Sequence, residues 1–496
     1  MASLVPTFFL LAAALSSLTF AYAANNNNNN SCPNYEYIFQ VGDSLADTGN
    51  RFRISNVKSS YRADHFPYGE KFFGKPTGRF SDGRLVIDYI AMSLKLPLLN
   101  PYMVKEANFS HGVNCAVGGA TVLNDPFYVA KNITTAKDNR PLRSQLRWLT
   151  TYLKTTCHTR QKCSKVLGKS LFMFGEFGGN DYYLAFSEGK SIDEAKTFVP
   201  YIVKTIVKGI RQVIRYGAKR IVVPGIFPLG CFPYYLTMFS SLDYEDYDEF
   251  GCLKAYNELA MYHNDYLERA LSILKLEYSN VAIIYIDYYA AVKSILERPS
   301  YFGFNKKSIL KTCCGIGGQY NYDDDILCGT SKVQACSDSA KYLHWDGVHL
   351  TEKAYYYVAE RVINGISSKE FQFSPIQAET FQVTNNMLHL LQNKGLFSGS
   401  YIEDPQQHLK NFLSICVTQR HPNVTPEAIR LLLFPFTMTR EAQTWLNSLP
   451  INSMATWVEL VKQFLNKFYP PNKTARQIYE ILQFRKKTTE TLQEIC

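Results

Sequence analysis

The chain has 496 residues, of which 46% are hydrophobic and 19% charged, values typical of a globular protein with two or three domains. The net charge of +10 is modest for this length, and lysine and arginine form no long run, so charge alone does not indicate a nucleic-acid partner. The 34 tyrosines and 32 phenylalanines fit a large core or a groove for hydrophobic ligands.

The N-terminal segment 1–23, MASLVPTFFLLAAALSSLTFAYA, has the features of a secretory signal peptide. Its apolar core is of the right length and ends in the small-x-small triplet Ala21-Tyr22-Ala23, although it lacks Lys and Arg. A membrane anchor is the alternative, but the apolar core is short and no second candidate span follows. We predict cleavage after Ala23, a low-complexity leader at 24–34, and secretion to the extracellular space (apoplast), with the vacuole as an alternative destination.

From residue 35 to about 366 the pattern alternates between strands and helices. Short apolar runs bounded by Gly, Pro or Asp predict buried parallel strands at 37–42, 170–175, 220–225 and 281–287. Segments of helical period lie between or after them, at 84–94, 142–154, 198–217, 257–278 and 351–365, the last with Thr351 as N-cap. This alternation predicts an α/β domain at 35–368, with helices on both faces of a parallel sheet and functional residues at the carboxyl ends of the strands.

The character of the sequence changes near residue 370. Segment 369–380 has no clear period and is interpreted as a linker. Beyond it the strand-like runs disappear, and Pro-marked turns separate four helical segments at 404–416, 425–434, 439–449 and 456–469. We therefore predict a second, all-helical module at 381–496.

The cysteines agree with a secreted protein. Twelve are present, ten of them before residue 340, and an oxidising compartment would allow the neighbouring pairs Cys157/Cys163, Cys231/Cys252 and Cys328/Cys336 to bridge. Five acceptor triplets for N-glycans occur, each a weak signal alone, at Asn29, Asn108, Asn132, Asn423 and Asn472.

No metal or cofactor is expected. Zinc is the alternative use of the cysteines, but no CxxC pair exists. The acidic triplet 323–325 lacks the spaced ligands of a calcium loop and is interpreted as a solvated turn.

Ser44 follows the first predicted strand in the stretch Gly42-Asp43-Ser44-Leu45. A serine there is most often a helix N-cap. The nucleophile elbow of α/β-hydrolases, GxSxG, also fails, because Ala46 stands where its second glycine would be. Ser44 becomes a candidate nucleophile only if a base and an acidic partner lie elsewhere in the chain.

His349 and Asp346 could supply that base and acid. They lie three residues apart just before the last predicted helix, so the carboxylate could accept from Nδ1 while Nε2 faces the nucleophile. The rival base is His344, two residues before Asp346. We favour His349 because the following helix would hold it in place. As a base it must be neutral, and an unperturbed histidine titrates near about 6.5, so we expect activity to fall on acidification.

Two loops could supply donors to an oxyanion. One is the glycine-rich segment 112–121, and the other, 177–183, places Asn180 after the strand at 170–175. The alternatives are an ordinary loop for Gly118-Gly119 and an ordinary turn residue for Asn180.

Four blocks occur in order: GDSL at 42–45, GxNxAxGGA at 112–120, GGND at 178–181 and DxxH at 346–349. This arrangement, over about residues 33–366, resembles the plant GDSL esterase/lipase family of SGNH hydrolases, in the branch of acetylajmalan- and sinapine-esterase-like enzymes. The resemblance implies a three-layer α/β/α SGNH-hydrolase fold and a serine carboxylester hydrolase acting on small-molecule or lipid esters. Cys115, Phe174 and Glu176 depart from the commoner residues of the family without affecting a catalytic role.

The resemblance also implies roles for the matching positions. Ser44 would be the nucleophile, with Asp346 and His349 completing the triad. The oxyanion hole would consist of the Ser44 N–H, the Gly119 N–H and the Asn180 side chain, with Gly118 as the alternative to Gly119 because the double glycine leaves the register open. The partner would be a small-molecule ester, without nucleic acid or a stable membrane span in this domain.

Residues from about 381 resemble the gag domain of plant Ty3/Gypsy-type retrotransposons, a self-associating helical module. Three interpretations follow: a fusion without function, a folded passenger that drives self-association, or a domesticated capsid function; we favour the first. Two rival functions remain for the whole chain, a nonenzymatic gag-type protein that self-associates or packages RNA, and an inactive GDSL-fold binding protein. The intact set of site residues argues against inactivity.

Overall fold

Five short strands form a parallel sheet at the centre of the fold. In the computed structural model they are β1 (Tyr37–Val41), β2 (Gly112–Asn114), β3 (Ser170–Phe174), β4 (Arg220–Pro224) and β5 (Ala282–Ile286). Their order across the sheet is β2-β1-β3-β4-β5, and every neighbouring pair is parallel. All residues of β3 are buried, as expected for a strand covered on both faces.

The structure describes residues 35–54, 62–135, 138–278, 280–367, 385–400, 403–418, 426–449 and 457–469. The predicted signal peptide at 1–23, the leader at 24–34 and the linker at 369–380 lie outside these residues. So do the glycan triplets at Asn29, Asn423 and Asn472.

Helices flank the sheet in two groups. Up to residue 367 the helices are α1 (Val86–Ser93), α2 (Asp125–Val129), α3 (Leu142–Cys157), α4 (Arg160–Gly168), α5 (Gly179–Ser187), α6 (Ile192–Lys196), α7 (Val199–Tyr216), α8 (Pro233–Met238), α9 (Lys254–Glu277), α10 (Tyr288–Glu297) and α11 (Glu352–Ser367). Helix α11 contacts α1 and α10, whereas α7 contacts α3, α4 and α9. The predicted α/β fold with a central parallel sheet is confirmed.

The sequence predicted four of the five strands and missed β2. That strand is only three residues long and lies in a stretch read as a glycine-rich loop. At Gly112 a side chain would collide with the Ile38 carbonyl on the neighbouring strand, so a residue typical of loops is required inside the sheet. The predicted cap of α11 is confirmed, because the Thr351 hydroxyl accepts from the Ala354 N–H at 3.3 Å.

Among the described residues, four disulfides connect loops around the sheet. The predicted bridges Cys157–Cys163 and Cys231–Cys252 are present. The predicted pairing of Cys328 with Cys336 is wrong: Cys336 bridges to Cys313 and Cys328 to Cys314. Adjacent residues in an extended chain project to opposite sides, so Cys313 and Cys314 each reach a different partner.

The C-terminal helices build a hydrophobic core of their own. They are α12 (Asn385–Asn393), α13 (Pro405–Thr418), α14 (Pro426–Leu433), α15 (Arg440–Ser448) and α16 (Trp457–Phe468). The last four agree with the four predicted segments, while α12 was not predicted. One cluster of buried side chains, drawn entirely from these helices and their connections, includes Leu391, Phe412, Phe434, Leu446 and Phe464. These helices belong to the same unit as the sheet, Glu36–Cys496.

Over the residues that the structure describes, no helix combines the length and the apolar character that crossing a membrane requires.

Candidate active site

Ser44 lies in the turn that follows β1, at the carboxyl edge of the sheet. The turn is anchored at Gly42, whose N–H and carbonyl both bond the side-chain amide of Gln145, at 2.8 and 2.7 Å. A Cβ at Gly42 would lie 2.9 Å from the Gly175 carbonyl oxygen, so the close approach of this turn to the end of β3 favours glycine. Ser44 is 9% exposed, and its hydroxyl bonds a histidine.

That histidine is His349. Its Nε2 lies 2.8 Å from the Ser44 Oγ, and its Nδ1 lies 2.8 Å from each carboxylate oxygen of Asp346. The ring stacks on Phe80 with 4.7 Å between ring centroids. The structure therefore brings the three predicted residues into the hydrogen-bonded order serine, histidine, aspartate.

His344, the rival base, lies elsewhere in the core. Its ring packs against Phe232, and among the described residues neither ring nitrogen has a hydrogen-bond partner. Burial lowers the pKa of His344 to about 3, partly opposed by the charge of Asp346. The residue is thus a neutral core histidine and is not bonded to Ser44.

Asp346 is held as a carboxylate by several donors. It accepts from the Tyr68 hydroxyl at 2.7 Å and from the backbone N–H groups of Val348 and His349 at 3.0 and 2.9 Å. Burial alone would raise the pKa of Asp346, but the charge of His349 and these hydrogen bonds outweigh burial and lower it. The acid is therefore ionised while it orients the imidazole.

The predicted oxyanion donors converge on the same place. Gly119 and Asn180 both line the cavity over Ser44. The Gly118 N–H instead donates to Asp47 at 2.8 Å, and a Cβ at Gly118 would meet the Phe80 ring. Gly119 has a positive φ of 76°. Of the two glycines, the geometry favours Gly119 as the donor.

Asn180 stands in the first turn of α5 with its amide already oriented. Its Nδ2 donates to Asp43 Oδ2 at 3.1 Å and to the Ala120 carbonyl at 3.2 Å. The next residue, Asp181, accepts from the Val122 and Leu123 N–H groups and so ties α5 to the glycine-rich loop. An amide nitrogen carries two hydrogens and both are engaged here, so to act on an oxyanion Asn180 must exchange its bond to the Ala120 carbonyl while Asp43 holds the amide in place.

Sequence reasoning overlooked the buried acids that support these loops. Asp47 accepts from the backbone N–H groups of Gly49, Asn50, Arg51 and Gly118, and Asp181 also accepts from Tyr128. Both lie within or beside the blocks that carry the candidate residues, at GDSLAD and GGND. The position of each acid, directly within or next to a block that carries a candidate residue, is the sequence feature that could have identified it.

The cavity over Ser44 is small and largely aromatic. It measures about 60 Å³, and its lining includes Phe80, Tyr183, Phe227, Phe232 and Tyr235. Two further carboxyl groups, those of Asp43 and Glu176, line the same space. Among the described residues that line it there is no lysine or arginine.

Two further groupings of acidic residues do not line this cavity. Cys231, Asp248 and Cys252 lie close enough to share an ion, but both sulfurs are joined in a disulfide. In the acidic triplet, Asp323 accepts from the Asp325 and Ile326 N–H groups within its own turn. Both contacts are made by one oxygen, Asp323 Oδ1, and the Tyr322 hydroxyl donates to Asp324 Oδ1, so these acids bond groups of their own turn.

Comparison with known proteins gives the family. The profile of the GDSL-like lipase/acylhydrolase family matches residues 38–362. The chain is 45% identical over 335 residues to acetylajmalan esterase of Rauvolfia serpentina, covering 68% of this chain and 86% of that protein. It is 41% identical over 352 residues to sinapine esterase of Brassica napus, covering 70% and 90%. A GDSL esterase/lipase of Arabidopsis thaliana is 42% identical over 347 residues, covering 69% and 89%.

Proposed function

The chain belongs to the GDSL-like lipase/acylhydrolase family and is a carboxylic ester hydrolase, and from that premise we propose that it works through an acyl-enzyme on Ser44. The observation that carries the proposal is the hydrogen-bonded chain from Ser44 Oγ through the His349 ring to Asp346, with each contact at 2.8 Å. An imidazole placed between a hydroxyl and an ionised carboxylate can accept the hydroxyl proton as a general base.

The reaction follows in two halves. His349 takes the proton of Ser44 as Oγ attacks the ester carbonyl, and Asp346 stabilises the imidazolium. The tetrahedral oxyanion lies among the Ser44 N–H, the Gly119 N–H and the Asn180 amide. His349 then protonates the leaving alcohol, and a water molecule repeats the sequence on the acyl-enzyme to release the acid.

The small cavity supports an ester with a short acyl group. Its volume of about 60 Å³ is well below the roughly 300–1,000 Å³ typical of sites that enclose a drug-sized ligand. We therefore favour a small-molecule ester over a long-chain lipid. A panel that contains acetyl esters, sinapine and p-nitrophenyl esters of increasing chain length tests this: kcat/KM should fall as the acyl chain lengthens, and a preference for long chains would contradict it.

Turnover of p-nitrophenyl acetate tests the catalytic role. The wild type should hydrolyse it, Ser44→Ala should not, and Ser187→Ala should behave as wild type because that exposed hydroxyl bonds the Leu184 carbonyl of its own helix. Equal rates for wild type and Ser44→Ala would overturn the proposal.

Activity should also fall on acidification, as expected for a base that must be neutral.

We propose that the protein enters the secretory pathway after cleavage behind Ala23, reaching the apoplast or the vacuole. Four disulfides support an oxidising compartment, and the side chains of Asn108 and Asn132 are exposed as glycan acceptors must be. N-terminal sequencing of the protein from plant tissue should begin at Ala24. A mature chain that retains Met1 would contradict cleavage.

We propose that the linker at 369–380 separates the hydrolase domain at 35–368 from a gag-like module at 381–496 that takes no part in catalysis. The separate apolar core of the C-terminal helices supports this, as does the end of the family match at residue 362. Light scattering should give the same number of chains per particle for the full-length protein and for a chain ending at Ser367. A larger assembly of the full-length chain alone would favour a self-associating passenger.

A further inference from the structure

Two carboxyl groups meet at the carboxyl edge of the sheet, beside Ser44. Strands β1 and β3 are neighbours, and their register pairs Val41 with Phe174. Asp43 and Glu176 each stand two residues beyond that pair, and the charge of Asp43 acts directly on the Glu176 carboxyl group, so the two acids are neighbours at this edge. They are 3% and 4% exposed, and both line the cavity over Ser44.

The two carboxyl groups differ in their hydrogen-bond partners. Asp43 accepts from the Leu45 N–H at 3.0 Å and from the Asn180 amide at 3.1 Å. Glu176 interacts with the Phe227 N–H, but its Oε2 has no hydrogen-bond partner among the described residues. A buried carboxylate oxygen without a partner is strongly unfavourable, whereas a protonated carboxyl group avoids much of that cost.

The surrounding charges do not compensate for two carboxylates. The titratable groups that act on the pair are Asp181 and His349 beside Asp43, and the hydroxyls of Tyr235, Tyr288 and Tyr355 around Glu176. Burial raises the pKa of all three tyrosines, so they stay neutral. Burial also raises the pKa of Asp43 to about 7, and burial together with the Asp43 charge raises that of Glu176 well above its usual value.

We propose that Asp43 and Glu176 hold one proton between them, and that this shared proton is required for Asn180 to stabilise the oxyanion. The inference rests on the proposed function of Ser44 and Asn180. With the proton present, the pair carries a single negative charge while Asp43 aligns the Asn180 amide. Without it, a second negative charge lies beside the developing oxyanion and draws the amide N–H toward Asp43. Glu176, which the sequence comparison left without a role, is thus a positioning residue that acts through Asp43 and Asn180.

The kcat of ester hydrolysis, measured from neutral to alkaline pH, tests this proposal. In the wild type kcat should fall by about 10²–10³ when the shared proton is lost, the loss expected when one oxyanion donor stops working. Glu176→Gln should not show this fall, because an amide cannot ionise. Glu268→Gln is the matched control: burial raises the pKa of Glu268 to about 7 as well, but Glu268 does not line the cavity, so the alkaline fall should remain.

Infrared difference spectra give a second readout. The carbonyl band that is present in the wild type but missing from Glu176→Gln, a subtraction that removes the contribution of Glu268, should disappear with the same midpoint as kcat. An alkaline fall in Glu176→Gln equal to that of the wild type would overturn the proposal, as would a wild type without any fall or a band whose midpoint differs from that of kcat. Failure of the proposed function would appear separately, as full hydrolysis by Ser44→Ala.

Discussion

The sheet domain and the C-terminal helices bury their polar side chains in different ways. In the sheet domain five buried acids gather at the carboxyl edge of the sheet, around or next to one cavity: Asp43, Asp47, Glu176, Asp181 and Asp346. In the C-terminal helices the buried polar side chains, among the described residues, are His408 and Thr437, which bond each other at 3.1 Å.

This contrast distinguishes the sheet domain, which carries the candidate active site, from the C-terminal helices, which have an apolar core. Burying five acids is unfavourable unless backbone N–H groups, tyrosines or shared protons compensate, so the sheet domain gives up stability to preorganise a reaction centre. The C-terminal helices bury few polar side chains among the described residues, and their core is a cluster of packed apolar side chains. The variants below test whether the two regions are as independent as this contrast indicates.

The largest effect is expected from Asp346→Asn. An amide cannot hold the His349 ring in the orientation and tautomer that a carboxylate imposes, so kcat should fall about 10⁴-fold. Steady-state kinetics with p-nitrophenyl acetate measure this. Asp325→Asn, at an exposed acid in the 323–325 turn, should leave kcat unchanged. If Asp346→Asn kept the kcat of the wild type, the proposed catalytic role of Asp346 would be contradicted.

Phe434→Ala tests the independence of the two cores. Phe434 is fully buried among the C-terminal helices, and its truncation should destabilise that module by about 3–5 kcal/mol. Calorimetry should then show one transition shifted downward while the other, and ester hydrolysis, stay in place. Val458→Ala, at a position 72% exposed in the same module, should change stability by less than about 0.5 kcal/mol. Activity lost together with the shifted transition would show one cooperative unit.

Asn180→Ala should lower kcat by about 10²–10³ with little change in KM, because the amide stabilises charge that exists only in the transition state. Asn124→Ala is the control on the neighbouring loop, since that side chain makes no capping hydrogen bond to α2. A change confined to KM would assign Asn180 to substrate binding instead of oxyanion stabilisation.

His408→Gln should alter the acid stability of the C-terminal helices alone. Burial lowers the pKa of His408 from 6.5 to about 4, with the charge of Glu403 in opposition. Between these values the unfolded state binds a proton that the folded state does not, so the free energy of unfolding falls as pH falls, by up to about 3 kcal/mol. The variant should lose this dependence, while exposed His389→Gln should keep it. An unchanged pH dependence in His408→Gln would contradict the assignment.

Much of the fold could be predicted from the sequence because the signals were local. Short apolar runs predict the buried strands. The helical period of the hydrophobic residues and the Pro-marked turns predict the C-terminal helices. Thr351 as a cap and the spacing of Asp346 and His349 are also local features. Ser44 could be predicted as a site residue only from the order of four motif blocks along the chain, because the residues around Ser44 do not distinguish it from a helix N-cap.

The remaining features depend on which segments meet in space. The choice of Gly119 over Gly118 follows from Asp47 taking the Gly118 N–H, a contact across 71 positions of sequence. The bridges of Cys313 and Cys314 depend on the direction in which each side chain projects. Asp43 and Glu176 are neighbours because β1 lies next to β3 in the sheet, an arrangement that no single stretch of sequence encodes.

Trapping the covalent intermediate tests the central claim most directly. The protein is quenched in acid during turnover of p-nitrophenyl acetate, digested, and its peptides are analysed by mass spectrometry. We expect one acetyl group on the peptide that contains Ser44, and none on that peptide in Ser44→Ala. Turnover with the acetyl group on another residue, or with no protein-bound acetyl group at any time point, would contradict the account.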